Sequence, residues 1–200
     1  MQHGGCLPKW LLERKWALRG TETAACADMG KMENGDPAMP TPEEDLRLIA
    51  EQERLLHFAS FSTETAWAVG SALRAEALAR KAGMTFEIQI AGRTLFACTT
   101  DGAAPGQADW IRRKRNVVMR FGRSSYAMGL LLEKEGKTIE QRHGLTLTDF
   151  AMHGGGVPIL LAGTGLVGSV VSSGLDQRTD HALVVKAMAD VLGVSVPALP

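Results

Sequence analysis

Between Trp110 and Tyr126 the chain reads Trp-Ile-Arg-Arg-Lys-Arg-Asn-Val-Val-Met-Arg-Phe-Gly-Arg-Ser-Ser-Tyr, and six of these residues are basic. At helical spacing Ile111, Val118 and Phe121 make one apolar stripe, and Lys114 and Arg115 fall on that same stripe. A cation on a buried stripe must be answered by an opposite charge or a good acceptor. The answer can come from an acidic residue elsewhere in the chain, a neighbouring subunit or an anionic ligand. The remaining basic residues are expected to lie along the surface with only their methylene stems covered.

Composition narrows the partners. With 22 Lys+Arg against 22 Asp+Glu the formal net charge is zero, so the basic character is local and no global field draws the protein to nucleic acid or to a membrane surface. The basic stretch also lacks the interleaved surface aromatics of a nucleic-acid face. No run approaches the length of a membrane span, and the N-terminal residues have no continuous apolar core for a signal peptide. Three cysteines, Cys6, Cys26 and Cys98, make no disulfide framework, which points to a reducing, cytoplasmic setting. The 200 residues suit a single domain.

Residues 1–40 show little periodicity and are expected to be a disordered N-terminal extension, leaving 41–200 as the domain. Order begins at Thr41-Pro42-Glu43-Glu44, which offers an N-cap, a first-turn proline and a capping-box glutamate for a helix to about Leu55, with Leu46, Ile49, Ala50 and Leu56 as its packing face. A second helix starts at Ser62 and presents Ala66, Val69, Gly70, Leu73 and Ala77 on one side. Phe86, Ile88 and Ile90 alternate with Glu87 and Gln89, turn at Ala91-Gly92-Arg93 and return through Thr94–Thr99 as a hairpin with one wet face. The basic helix follows, broken at Gly122 and resumed from Ser124. Thr146–Met152 reads as a helical turn or a loop. Val157–Leu161 and Leu166–Ser173 read as strands, with Pro158 confining the first to a sheet edge or a strand start. A last helix, capped by Asp176 or Thr179, runs to about Leu192 on Ala182, Val185, Ala189 and Leu192. This order predicts an α/β sandwich: an antiparallel sheet of four to five strands flanked by helices.

The run Trp110–Val118, then Arg120-Phe121-Gly122-Arg123-Ser124-Ser125, resembles a signature of uncharacterised proteins with a haem-degrading domain, relatives of GlcG and HbpS. The likeness continues through His153-Gly154-Gly155, Pro158, Gly168, Ser173-Gly174-Leu175 and Asp180–Val185, and spans about Thr41 to Gly193. It implies that family's α/β fold, homo-oligomeric assembly, and haem as a ligand or substrate.

Other motifs lead less far. Gly163-Thr164-Gly165-Leu166-Val167-Gly168 satisfies the dinucleotide-binding pattern, but a Val-rich strand follows where that chemistry needs a helix N-terminus, so it reads as a hairpin turn. His153-Gly154-Gly155-Gly156 is shaped like an esterase oxyanion loop, yet the chain has no G-x-S-x-G elbow. These glycines would let backbone N–H groups approach a ligand or a subunit closely. No pair of histidines has the spacing of a helical metal site, though a single one can be an axial haem ligand. His153 is the first candidate for that role and His181 the second; each also has an ordinary structural reading.

These readings converge on one expectation: a homo-oligomer that binds a small anionic ligand, haem or another carboxylate, between the basic helix, the His153 glycine loop and the start of the last helix. The residues that would carry it are Trp110, Arg112, Lys114, Arg115, Asn116, Ser124, Ser125, His153, Gly154, Gly155, Asp180 and His181. The alternatives are an assembly or adaptor protein without small-molecule chemistry and a haem-degrading enzyme, for which no acid/base or nucleophile set can be assigned. One expectation is directly measurable. At least one of Lys114 and Arg115 is paired, so the paired one, replaced by Met, strands its partner and costs on the order of 3 kcal/mol in denaturant melts, whereas a solvated cation costs well under about 1 kcal/mol.

Overall fold

The computed structural model describes residues 41–199, so the expected extension at 1–40 lies outside the described residues. Helix α1 (Pro42–Leu55) begins with the capping box read from its sequence, Thr41 and Glu44 bonding reciprocally. Strand β1 (His57–Phe58) leads to α2 (Thr63–Ala79), whose buried residues are the five small and branched positions expected. Gly70 is required there, because a Cβ would stand 2.5 Å from the Phe96 ring. The hairpin β2 (Thr85–Ile90) and β3 (Arg93–Thr99) is followed by α3 (Gln107–Phe121), which stops at left-handed Gly122, and by α4 (Ser125–Glu135), capped by Ser124. A short helix α5 (Ile139–His143) precedes a turn at 147–149 and the strands β4 (Gly156–Leu161) and β5 (Gly165–Ser173). Helix α6 (Gln177–Leu192) is capped by Asp176 and ends at Gly193.

The five strands lie in the order β1-β4-β5-β2-β3. All neighbours are antiparallel except β1, which pairs parallel with β4 through His57↔Leu160 and Phe58↔Leu161. The sheet is therefore mixed, a correction to the purely antiparallel expectation. A two-residue strand carries too short a pattern to be read from sequence, and α5 was equally unannounced. Pro158 pairs with Ser169 of β5, and β1 reaches only Leu160 and Leu161, so the missing N–H costs no ladder bond. The Gly163–Gly168 run is the β4–β5 turn and the opening of β5.

Alternation along β2 assigns the two faces. Phe86 and Ile88 join Val69, Leu73, Ile159, Val170, Val184 and Met188 in the main core beneath α2 and α6. Glu87 points the other way and is ion-paired with Arg115 of α3, so the face expected to be wet is covered by the basic helix. A second cluster, Val117, Met128, Leu132, Ile139 and Met152, joins α3, α4 and α5.

Helix α1 departs from its expected face. Ala50 is exposed, and the residues buried alongside Ile49 are Asp45 and Gln52. Both are satisfied across the interface with α4 and α6. Arg178 donates to both Asp45 carboxylate oxygens at 2.8 and 3.0 Å, and the Tyr126 hydroxyl donates at 3.1 Å. Burial and the adjoining Asp45 charge push the Tyr126 phenol up to about 12. Gln52 accepts from His181 Nε2 at 3.0 Å and donates to the Pro197 carbonyl at 2.7 Å, which ties the chain beyond α6 to α1. Helix α6 is likewise buried more widely than its expected stripe, with Leu183, Val184, Ala187 and Met188 covered as well.

His181 is fully buried, its Nδ1 has no hydrogen-bond partner among the described residues, and desolvation lowers its pKa from 6.5 to about 4. Between those values the unfolded chain binds a proton that the folded chain refuses, so stability falls as pH drops through this window. Urea melts from about pH 8 down to about pH 4 are expected to show a loss of up to about 3 kcal/mol from this group, and His181→Phe should flatten that slope.

Candidate functional site

Helix α3 enters the sheet side with Ile111, Lys114, Val117 and Val118 buried. Lys114 is 3% exposed. Its Nζ donates to the Ser172 carbonyl and to Asp180 Oδ2, each at 2.9 Å, reaching past the end of β5 to the first turn of α6. Asp180 is 1% exposed and accepts at its other oxygen from the Leu175 N–H at 3.2 Å. The Ser172 hydroxyl donates to the Asp180 carbonyl at 3.0 Å, so the end of β5 and the start of α6 are locked to one another. Burial lowers the Lys114 pKa against the pull of Asp180, and burial raises that of Asp180 against the pull of Lys114. The two protonation equilibria are thereby drawn together.

Both members of the pair line a cavity of about 310 Å³ together with Gln107, Trp110, His153, Ser173–Leu175 and Gln177. Trp110 forms one wall. Its ring is held between Arg113, whose guanidinium carbon sits 4.2 Å from the ring centroid, and His153, edge-on at 5.0 Å between centroids. His153 is exposed at the rim. Partial desolvation, with Lys114 and Arg113 nearby, lowers its pKa, so the imidazole is neutral at pH 7.

The glycines beside His153 do a different task from the one expected. A Cβ at Gly154 would lie 1.7 Å from the Gln177 carbonyl oxygen. One at Gly155, where φ is +119°, would lie 2.4 Å from the Ser172 oxygen and 2.9 Å from Lys114 Nζ. One at Gly156 would meet Val118 and Ser125 at 2.9 and 3.0 Å. The space they open is filled by this chain's own backbone and by Lys114, which is how Nζ reaches its acceptors. Ser125 completes the clamp: its Oγ donates to the His153 carbonyl at 2.5 Å and accepts from the Gly156 N–H at 2.9 Å.

Of the twelve residues expected at the site, Trp110, Lys114, His153 and Asp180 meet in the cavity, and Ser125, Gly154 and Gly155 support it from behind. The other five lie elsewhere, each with a partner in its own chain. Arg112 pairs with Asp109 and Asp149 and bonds to the Thr148 carbonyl. Asn116 donates to the Asp149 carbonyl at 2.8 Å. Arg115 pairs with Glu87, Ser124 caps α4, and His181 is sealed beneath α1. The basic helix thus spends most of its charge tethering the 147–151 turn and the sheet, and both cations on its apolar stripe are answered within the chain. Sequence reasoning missed Gln107, which donates to the Gly83 carbonyl at 2.9 Å, and Gln177. Ser173-Gly174-Leu175 stood in the signature but carried no side-chain chemistry to mark it.

The family described as "Haem degrading protein HbpS-like" matches residues 61–189. A UPF0303 protein of Serratia proteamaculans is 46% identical over 157 residues, covering 78% of this chain and 98% of that protein. Among solved structures, the Ybr137w protein is similar with a TM-score of 0.68 and 26% identity, covering 74% of this chain and 87% of that one. The PduOC complex with haem superposes with a TM-score of 0.57 at 16% identity, covering 70% and 98%, which is a likeness of fold alone. The chain belongs to the HbpS-like family of haem-degrading-domain proteins and, within it, is related to the UPF0303 proteins.

Proposed function

We propose that this protein is a homo-oligomeric binding protein whose cavity between α3, the His153 loop and the start of α6 takes a small carboxylate, with haem as the larger candidate. The observation that carries this reading is the donor set. An ammonium has three N–H donors, and among the described residues the Ser172 carbonyl and Asp180 use two of those of Lys114, a cavity-lining residue, which leaves one for a ligand oxygen. Because Asp180 neutralises the cation, recognition rests on that hydrogen bond and on the apolar face of Trp110, and not on surplus positive charge. This tempers the expectation of a strongly anionic ligand.

Haem is suggested by the family's description and by the haem complex of PduOC. The residues here fit part of it. An exposed, neutral His153 beside an aromatic wall would hold the iron, and Lys114 would hold a propionate. A cavity of about 310 Å³ lies at the lower end of the range in which proteins enclose ligands, so it takes a small acid whole but only an edge of a macrocycle. Bound haem would bring one-electron and oxygen chemistry; this chain's part is to hold and orient it.

Self-association has different support from that expected. Lys114 and Arg115 need no second subunit. Strand β3 is a sheet edge of seven residues, and Trp67, 68% exposed, stands beside its Phe96. No helix among the described residues is long and apolar enough to cross a membrane. The cytoplasmic reading rests on the sparse cysteines of the sequence.

Native mass spectrometry of protein purified from cells is expected to show more than one subunit and a co-purified small ligand; a bare monomer at tens of micromolar would sink both parts. Added haem should shift the Soret band, and His153→Ala should weaken that shift most. No shift with the wild type would remove haem and leave the small carboxylate.

A further inference from the structure

We infer that Lys114 and Asp180 form a carbonyl-capturing pair: a small aldehyde or 2-oxo acid entering the cavity condenses reversibly with the Lys114 amine, with Asp180 as proton donor and then counter-ion. The inference rests on the reading of the cavity as a ligand site and names the chemistry that site would perform. Among the described residues Lys114 is the one buried lysine; Lys81, Lys134, Lys137 and Lys186 are all exposed. It does not sit in a sealed core, because both it and its carboxylate partner line a cavity that opens at His153. An ordinary structural ion pair has no need of that opening.

Desolvation acts on the two groups in opposite directions, against the ammonium and against the carboxylate. Their 2.9 Å contact then lets one proton pass from Nζ to Oδ2, giving a neutral amine beside a neutral acid. The amine lone pair forms a bond to the carbonyl carbon as the C=O π bond breaks, the oxygen takes the proton from Asp180, the nitrogen returns one of its own protons to the Asp180 carboxylate, and a neutral carbinolamine results. Loss of its hydroxyl group, with a proton, as water leaves an imine on Nζ. In its protonated form that imine is paired with the Asp180 carboxylate. No oxidant or reductant is needed, and hydrolysis reverses each step.

The surroundings select the partner. The Ser172 carbonyl and the Leu175 N–H hold Nζ and the carboxylate in place, so neither swings away when the proton moves. Trp110 and Leu175 offer apolar walls, and the volume excludes a large substituent. A carbonyl compound of a few carbons fits on both counts.

Incubating the whole protein with pyruvate and cyanoborohydride, followed by peptide mapping, is expected to place more reduced adduct on Lys114 than on any exposed lysine, because burial disfavours the charged form of its amine. Asp180→Asn, if circular dichroism shows it folded, should lose that preference, and Lys114→Arg should lose the adduct. Adducts on the other lysines and none on Lys114 in the wild type would overturn the inference, whatever the variants do. Lactate, which has the carboxylate without the ketone, separates the two readings. If it shifts the Trp110 indole resonance while pyruvate leaves Lys114 unmodified, the cavity binds acids and the covalent step is wrong. If neither occurs, the ligand site itself is wrong.

Discussion

The architecture depends on one buried ion pair. Moving an ammonium and a carboxylate out of water costs several kcal/mol each, and their attraction offsets this only when every remaining donor and acceptor is placed well. Here the placement is supplied by backbone. The Ser172 carbonyl takes one Lys114 proton, the Leu175 N–H serves the far oxygen of Asp180, and Gly155 stands back to admit Nζ. Two parts distant in sequence, α3 and the junction of β5 with α6, must be in register before the pair can form. It therefore specifies the arrangement at least as much as it stabilises it.

That dependence explains why polar residues lie where apolar ones would be simpler. Asp45 and Gln52 occupy the buried face of α1 because Arg178, Tyr126 and His181 approach from α4 and α6 and need acceptors. The protein has two polar seams, one holding α3 to α6 and one holding α1 to α6. The apolar core beneath the sheet runs between them. Helix α6 belongs to both seams through Arg178, Asp180 and His181 and to the core through Leu183, Val184, Ala187 and Met188, which accounts for burial around most of its circumference.

The regular elements were legible in the chain because their signals are local. The capping box at Thr41, the small-residue face of α2, the Gly122 break and the Asp176 cap each lie within a few residues of what they determine. The cavity's outline was legible in part, since Trp110, Lys114, His153 and Asp180 bear chemistry that draws notice. What escaped was pairing at a distance. Nothing near Lys114 says that Asp180, sixty-six residues on, will answer it, or that Glu87 will answer Arg115. The five expected residues that lie outside the cavity share one cause: their charge or polarity was real, but the partner was another part of the same chain. Strand β1 and helix α5 were missed for lack of length, as two and five residues hold no readable period.

The glycines at 154–156 have a consequence for anyone altering this protein. A loop with three consecutive glycines invites insertion of tags, epitopes or new binding sequences, yet here even a methyl group at 154 would strike a carbonyl 1.7 Å away. The turn at Ala91-Gly92 is open at the Gly92 Cβ position, yet φ is +49° at Ala91 and +77° at Gly92, so a side chain there is opposed by the backbone itself. Glycine answers close packing in one of these loops and backbone conformation in the other, and a sequence library diversified at both would be depleted at both, for different reasons.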